Sequence, residues 1–160
     1  MTTEPLWLAH GREHVGLAEI PGPKHNTTIT KWLTKLGAWW RDDETPWCGV
    51  FVGWCLKATG TALPKLWMRA KAYSDFGAPC SKQSIPFGAI CIKSRIGGGH
   101  VFFAVATSRD GQTIYGLGGN QSNRVSIVPF KLSEIDAVRW PSAATPRLQL
   151  PVAASLAEVG

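Results

Sequence analysis

The spacing of apolar residues changes once along this chain, and that change limits the folds open to it. Up to about residue 72 they recur at helical spacing, which predicts helices over residues 6–17, 29–36, 47–58 and 65–72. Beyond that, short runs rich in Val, Ile, Phe and Tyr predict strands at residues 89–92, 100–107, 113–117, 125–127 and 138–140. Asp110-Gly111 is a hairpin signal between the second and third of these. Helices grouped ahead of strands joined by short loops give an α+β domain with an antiparallel sheet. Gly49 and Gly53 clear one side of the third helix, which is expected to press that helix onto the sheet. With 160 residues, 44% of them apolar, the chain can bury a core in one domain. That domain is read as residues 1–140, and the Pro- and Ala-rich residues 141–160 as a tail that lies along the surface or is mobile.

The third helix also carries chemistry. In Thr45-Pro46-Trp47-Cys48, Thr45 can cap, Pro46 suits the first helical position and Cys48 falls in the first turn. Free N–H groups and the positive end of the helix dipole are expected to draw a thiol pKa there down from about 8.5 towards neutrality. The preceding Asp42-Asp43-Glu44 complements the same dipole, and it lacks the spaced oxygens of a calcium loop. A lone cysteine in such a place also serves as a small apolar filler. Two later features make it more than that. His100 opens an apolar strand after Gly97-Gly98-Gly99, and Asn120-Gln121 follows Gly118-Gly119 at the end of another strand. Cysteine, histidine and amide in this order suit a thiol hydrolase, in which sulphur attacks a carbonyl, imidazole relays the proton and the amide orients the imidazole.

On these residues the chain resembles the NlpC- and CHAP-type cell-wall hydrolases of the papain-like cysteine peptidase superfamily. The resemblance lies in Thr45-Pro46-Trp47-Cys48 with the following Phe51-Val52-Gly53-Trp54-Cys55-Leu56-Lys57, in Gly98-Gly99-His100-Val101 and in Leu117-Gly118-Gly119-Asn120-Gln121. The upstream Glu19-Ile20-Pro21-Gly22-Pro23-Lys24-His25-Asn26 resembles the opening of one subgroup of small members. Together these segments span residues from about 6 to 140. The resemblance implies a papain-like fold, with a nucleophile-bearing helix packed on a C-terminal antiparallel sheet. It implies Cys48 as nucleophile, His100 as general base and an amide or acid as third partner. Asn120 is favoured for that third role because it directly follows the glycine pair, and Gln121 is the other candidate. The implied substrate is an amide bond of peptidoglycan, cleaved either as an amidase or as a stem-peptide endopeptidase. The implied setting is a phage endolysin, or a toxin sharing the same domain. A non-catalytic wall-binding or virion protein with a relic site is the alternative from another class.

Eight tryptophans exceed what a core of this size needs, so Trp39, Trp40 and Trp47, which flank the nucleophile, are candidates to contact substrate, with Gln121 beside them. The other five are expected in the core. Seventeen Lys and Arg against eleven Asp and Glu give a net charge of +6, which draws the protein to an anionic envelope. The basic residues are dispersed and no nucleic-acid motif is present, so nucleic acid is not expected as a partner. Peptidoglycan is the expected partner of a monomer without membrane insertion. Residues 1–7 lack the pattern of a signal peptide, so the chain is expected to accumulate in the cytoplasm and reach the wall in the periplasm through a separate membrane pore. The four cysteines are expected to be reduced, with Cys55, Cys80 and Cys91 structural. His10 and His14 lie four apart on the first helix but lack a third ligand, so they are read as a solvent-facing pair, and no metal or cofactor is expected.

Overall fold

A computed structural model of the protein describes residues 4–43 and 45–159. Helix α1 (Leu6–Arg12) turns Trp7, Leu8 and Gly11 inward. A Cβ at Gly11 would stand 3.1 Å from the Phe51 ring and 3.2 Å from Leu117, so glycine here lets α1 lie directly on its neighbours. The helix stops short of the expected residue 17. Gly16 takes a left-handed φ of 98° and donates its N–H to the Val125 carbonyl, while Ala18 bridges Arg124, so long-range pairing outcompetes another helical turn. Helix α2 (Thr27–Leu36) begins at Asn26, whose side chain accepts from the N–H groups of Thr28 and Ile29, and ends at Gly37 in the left-handed conformation.

Helix α3 (Cys48–Ala58) is buried along most of its length. Its glycines do not face the sheet. A Cβ at Gly49 would stand 2.7 Å from the Trp67 carbonyl oxygen, and one at Gly53 would stand 3.2 Å from the Tyr73 hydroxyl. The close approach they permit is therefore to residues 67–73. That segment, expected as a fourth helix, is a set of turns ending in a short 3₁₀ helix, Ala70–Tyr73. The Tyr73 hydroxyl lies 3.0 Å from the Gly49 carbonyl and 2.9 Å from the Trp67 carbonyl, which ties the segment to α3.

Among the described residues six antiparallel strands follow: β1 (Ala78–Pro79), β2 (Ile90–Arg95), β3 (Gly98–Thr107), β4 (Thr113–Gly118), β5 (Ser126–Lys131) and β6 (Ala137–Trp140). They form one sheet in the order β1-β6-β2-β3-β4-β5. β3 pairs with β2 from Ile90↔Phe103 to Arg95↔Gly98 and with β4 from Phe103↔Leu117, with a bulge between Ala104 and Ala106. Strand alternation divides β3 between two faces. Phe103 meets Phe51 of α3, whereas Phe102 stacks on Phe130 of β5 with centroids 3.9 Å apart. At the β3–β4 turn, the Asp110 carboxylate accepts from the Ser108 hydroxyl and the Gln112 N–H, and Gly111 supplies the positive φ.

Residues 141–159 are docked rather than loose. Thr107 donates to Pro151 and accepts from Ala153, Phe87 donates to Leu148, and Leu150 and Ala153 are buried. Trp7, Trp32, Trp67 and Trp140 are buried as expected, and Trp54 packs partly buried against the same core. His10 and His14 are not a solvent pair. Their rings meet at 5.4 Å, His10 approaches Trp54 and His14 packs edge-on against Trp32. Burial and the neighbouring His10 lower the pKa of His14. Among the described residues no helix is long and apolar enough to cross a membrane.

Candidate functional site

Cys48 is the first residue of α3. The cap is Trp47 rather than Thr45, and no side chain caps the helix. Trp47 is fixed by the core: it is 1% exposed, and its indole N–H donates to the Glu19 carboxylate at 3.1 Å. Its ring also occupies the space that a Cβ at Gly119 would fill. Trp47 is therefore a buttress behind the cysteine, and the sequence-based assignment of it to substrate contact is corrected. Trp40 stacks on Trp67, while Trp39 stands 89% exposed against the edge of Trp40. Only Trp39 of the three offers an open ring.

The acidic run before the helix plays a different part from the one expected. Asp43 is fully buried and its carboxylate accepts from the N–H groups of Ile20 and Asn26, each at 2.7 Å, with His25 Nδ1 at 3.0 Å from its other oxygen. Asp42 accepts from the Thr45 N–H, and Glu44 lies outside the described residues. Burial pushes the Asp43 carboxyl up, but the two N–H groups and His25 together hold it below its ordinary 3.8. Asp43 thus binds the loop at residues 20–26 to the approach of α3. A depressed folded pKa means this contribution is complete above about pH 4 and is lost as pH falls through the folded value. Asp43→Ala is expected to destabilise the protein by about 1–3 kcal/mol, because the Ile20 and Asn26 N–H groups lose their charged acceptor. Thermal melts from pH 3 to pH 7 check this: the wild-type protein should gain stability across the acid limb, and the variant should gain less.

His100 lies on the β3 face that carries Phe102, and its ring stacks on Phe102 and Phe130 at 5.8 and 5.7 Å. Its Nε2 is 2.9 Å from Gln121 Oε1. Gln121 Nε2 donates to the carbonyls of Ser126 at 2.7 Å and Gly116 at 3.3 Å, which fixes the amide so that its oxygen faces the histidine. A carbonyl oxygen only accepts, so His100 carries its proton on Nε2 and keeps the Nδ1 lone pair. Burial lowers the pKa of His100, and Arg95 and Lys93 lower it further against the opposing pull of Gln121, so the ring is neutral at pH 7.

The amide that meets His100 is therefore that of Gln121, not the Asn120 favoured from the sequence. Residues 120, 122 and 123 all take positive φ, so the strand has ended, and following the glycine pair does not aim Asn120 at His100. The space left by Gly118 belongs to Gln121: a Cβ there would stand 2.3 Å from Gln121 Oε1. Among the described residues, the Asn120 side chain makes no hydrogen bond.

The cysteine meets the histidine strand through the backbone. The Val101 N–H, directly after His100, faces the Cys48 sulphur, as do the first-turn N–H groups of Gly49 and Cys48. Thiol and imidazole are not hydrogen-bonded to each other in this conformation. Cys48 is 4% exposed, and burial pushes its thiol above the ordinary value, outweighing the N–H groups and Arg95. This reverses the expected lowering, because desolvation of a thiolate costs more than one helix terminus returns. All four cysteines are unpaired, and Cys55 and Cys91 are fully buried with thiols pushed well up by desolvation. Among the described residues no group of three or more His, Cys, Asp or Glu could hold a metal ion.

Compared with family models, with curated proteins and with solved structures, the chain matches none.

Proposed function

We propose that the protein is a papain-like thiol hydrolase of the NlpC and CHAP type, cleaving an amide bond of peptidoglycan through an acyl-enzyme on Cys48. One observation carries the reading: Gln121 fixes His100 with Nδ1 unprotonated, on the strand whose next N–H faces the Cys48 sulphur. In the first half-reaction Cys48 Sγ bonds to the carbonyl carbon while its proton passes to His100 Nδ1. The C–N bond then breaks, His100 returns the proton to the leaving amine, and a thioester remains. Water attacks the thioester with His100 again taking the proton, and the restored thiol leaves with it. The thiol is protonated at rest, so His100 acts as a general base during attack rather than as one half of a standing ion pair. The Cys48 N–H, free at the helix start, contributes to holding the oxyanion. Trp39, exposed beside this region of sequence, offers a face for a sugar ring.

The rival reading, a non-catalytic wall-binding or virion protein with a relic site, draws on the burial of Cys48 and on its lack of a bond to His100. Mass spectrometry of fragments released from purified peptidoglycan by the wild-type protein and by Cys48→Ala separates the two. Release by the wild type alone is the expected result. Free stem peptides would identify an amidase, and shortened stems an endopeptidase. If both proteins bind the wall and neither releases fragments, the hydrolase reading fails and the rival stands.

A further inference from the structure

A cleft of about 670 Å³ opens at Cys48 between the 67–73 segment and the β2–β3 hairpin, and its chemistry is one-sided. Arg69 and Lys71 line one wall and Arg95 the other, and among the described residues no acid lines it. Several cations elsewhere have partners. Arg12 pairs with Glu4, Lys93 with Glu134, and Arg41 and Arg139 donate to backbone carbonyls. The Arg69 and Arg95 side chains are exposed and, among the described residues, have neither an ion pair nor a hydrogen bond. Lys71 is steered to the mouth by a missing side chain: its Cγ would stand 3.2 Å from a Cβ at Gly99, so glycine lets its stem cross the strand next to His100. Its charge is shared with Asp136, whose carboxylate is already occupied by the Ser94 N–H. Two arginines without an ion pair and a lysine shared with one carboxylate outside the cleft leave an excess of positive charge beside Cys48, which raises the local concentration of anions and orients them.

We infer that this cleft is a carboxylate receptor: the amide attacked by Cys48 belongs to an acidic peptide, whose free carboxylate is held by Arg95 and Arg69 with Lys71 beside them. Assigning that peptide to the wall rests on the function proposed above, whereas the preference for a carboxylate does not. A planar carboxylate suits two guanidinium groups, each able to donate two parallel hydrogen bonds. The apolar floor, from Pro46, Met68 and Ala70, leaves such a contact partly screened from water, which strengthens it.

Alkylation of Cys48 tests the receptor without any substrate. Iodoacetate and iodoacetamide differ by one carboxylate, so the ratio of their rates reads the field at the sulphur while accessibility and thiolate fraction cancel. The ratio would be followed on the Cys48 peptide by mass spectrometry, in low salt at pH 8.5. It should fall about tenfold in the Arg69→Gln/Arg95→Gln variant. Cys80, which lies near Arg139 and Arg147 instead, is the internal reference and should not change. These exposed arginines can be replaced without unfolding the protein, and a thermal melt confirms it. An unchanged ratio at Cys48 would overturn the proposal. In the second arm, amidating the carboxylates of a soluble wall peptide should lower kcat/KM for the wild type and leave the double variant indifferent. Equal loss in both proteins would also overturn it. If the wall peptide is not cleaved at all, the proposed function fails, and the alkylation ratio still decides the receptor.

Discussion

His100→Ala is expected to lower kcat/KM for amide cleavage by about 10²–10⁴-fold while leaving the fold intact. Its imidazole stands one residue before Val101, whose N–H faces the Cys48 sulphur, and its proton is committed to Nε2 by Gln121. Without it the proposed attack loses the base that takes the thiol proton. The thiol cannot compensate by ionising early, because burial has pushed its pKa up. The pH profile should carry the same signature. Burial lowers the His100 pKa, so the acid limb of kcat/KM should fall below pH 6.5, where a solvent-exposed imidazole would already be half protonated. Thiolate absorbance of Cys48 should appear only in the alkaline range. A standing thiolate–imidazolium pair would give the opposite pattern, with thiolate visible at pH 6 and an acid limb set by the cysteine. Far-UV spectra and melting temperature of His100→Ala separate loss of the base from loss of the fold. A variant that folds and keeps full activity would remove His100 from the mechanism.

What could be read from the sequence follows from which interactions are local. Helical and strand periods are local, and so is the Asp110-Gly111 turn; the second and third helices and the turn lie close to where their residues place them. The mixed architecture, with helices first and an antiparallel sheet after, follows from the same periods. Long-range competition set the rest. Helix α1 ends early because Gly16 and Ala18 pair with residues more than a hundred positions away, and residues 65–72 lose their helix to Tyr73 and its hold on Gly49. The depth of Cys48, which reverses its expected pKa, is a property of the packed core and leaves no trace in spacing. Asp43 was hidden for a related reason. In sequence it is one acid of three beside a helix, and only folding shows that its oxygens close the loop at residues 20–26. A signal did exist, in the Pro- and Gly-rich 21–25 run that needs an anchor, but the anchor's identity was not in it.

Gln121→Ala should cost about 10²-fold in kcat/KM, and Asn120→Ala far less. The reasoning starts from glycine. Gly118 has no side chain, and the space it leaves is filled by the Gln121 amide, whose two donors are taken by Ser126 and Gly116. That arrangement leaves one group, Oε1, to fix both the tilt and the tautomer of His100. Removing it frees the ring to turn over on Phe102 and Phe130, so the proton can move to Nδ1 and the base face Cys48 with no lone pair. A structural role alone would lower the melting temperature and leave the ionisation of His100 unchanged. The orienting role predicts a further shift, because the Gln121 hydrogen bond raises the His100 pKa and its loss should move the acid limb of kcat/KM to lower pH. Asn120→Ala should leave that limb in place. If Asn120→Ala proves the more damaging change, or if Gln121→Ala lowers stability without moving the acid limb, then the 2.9 Å contact is packing and His100 is oriented by something else.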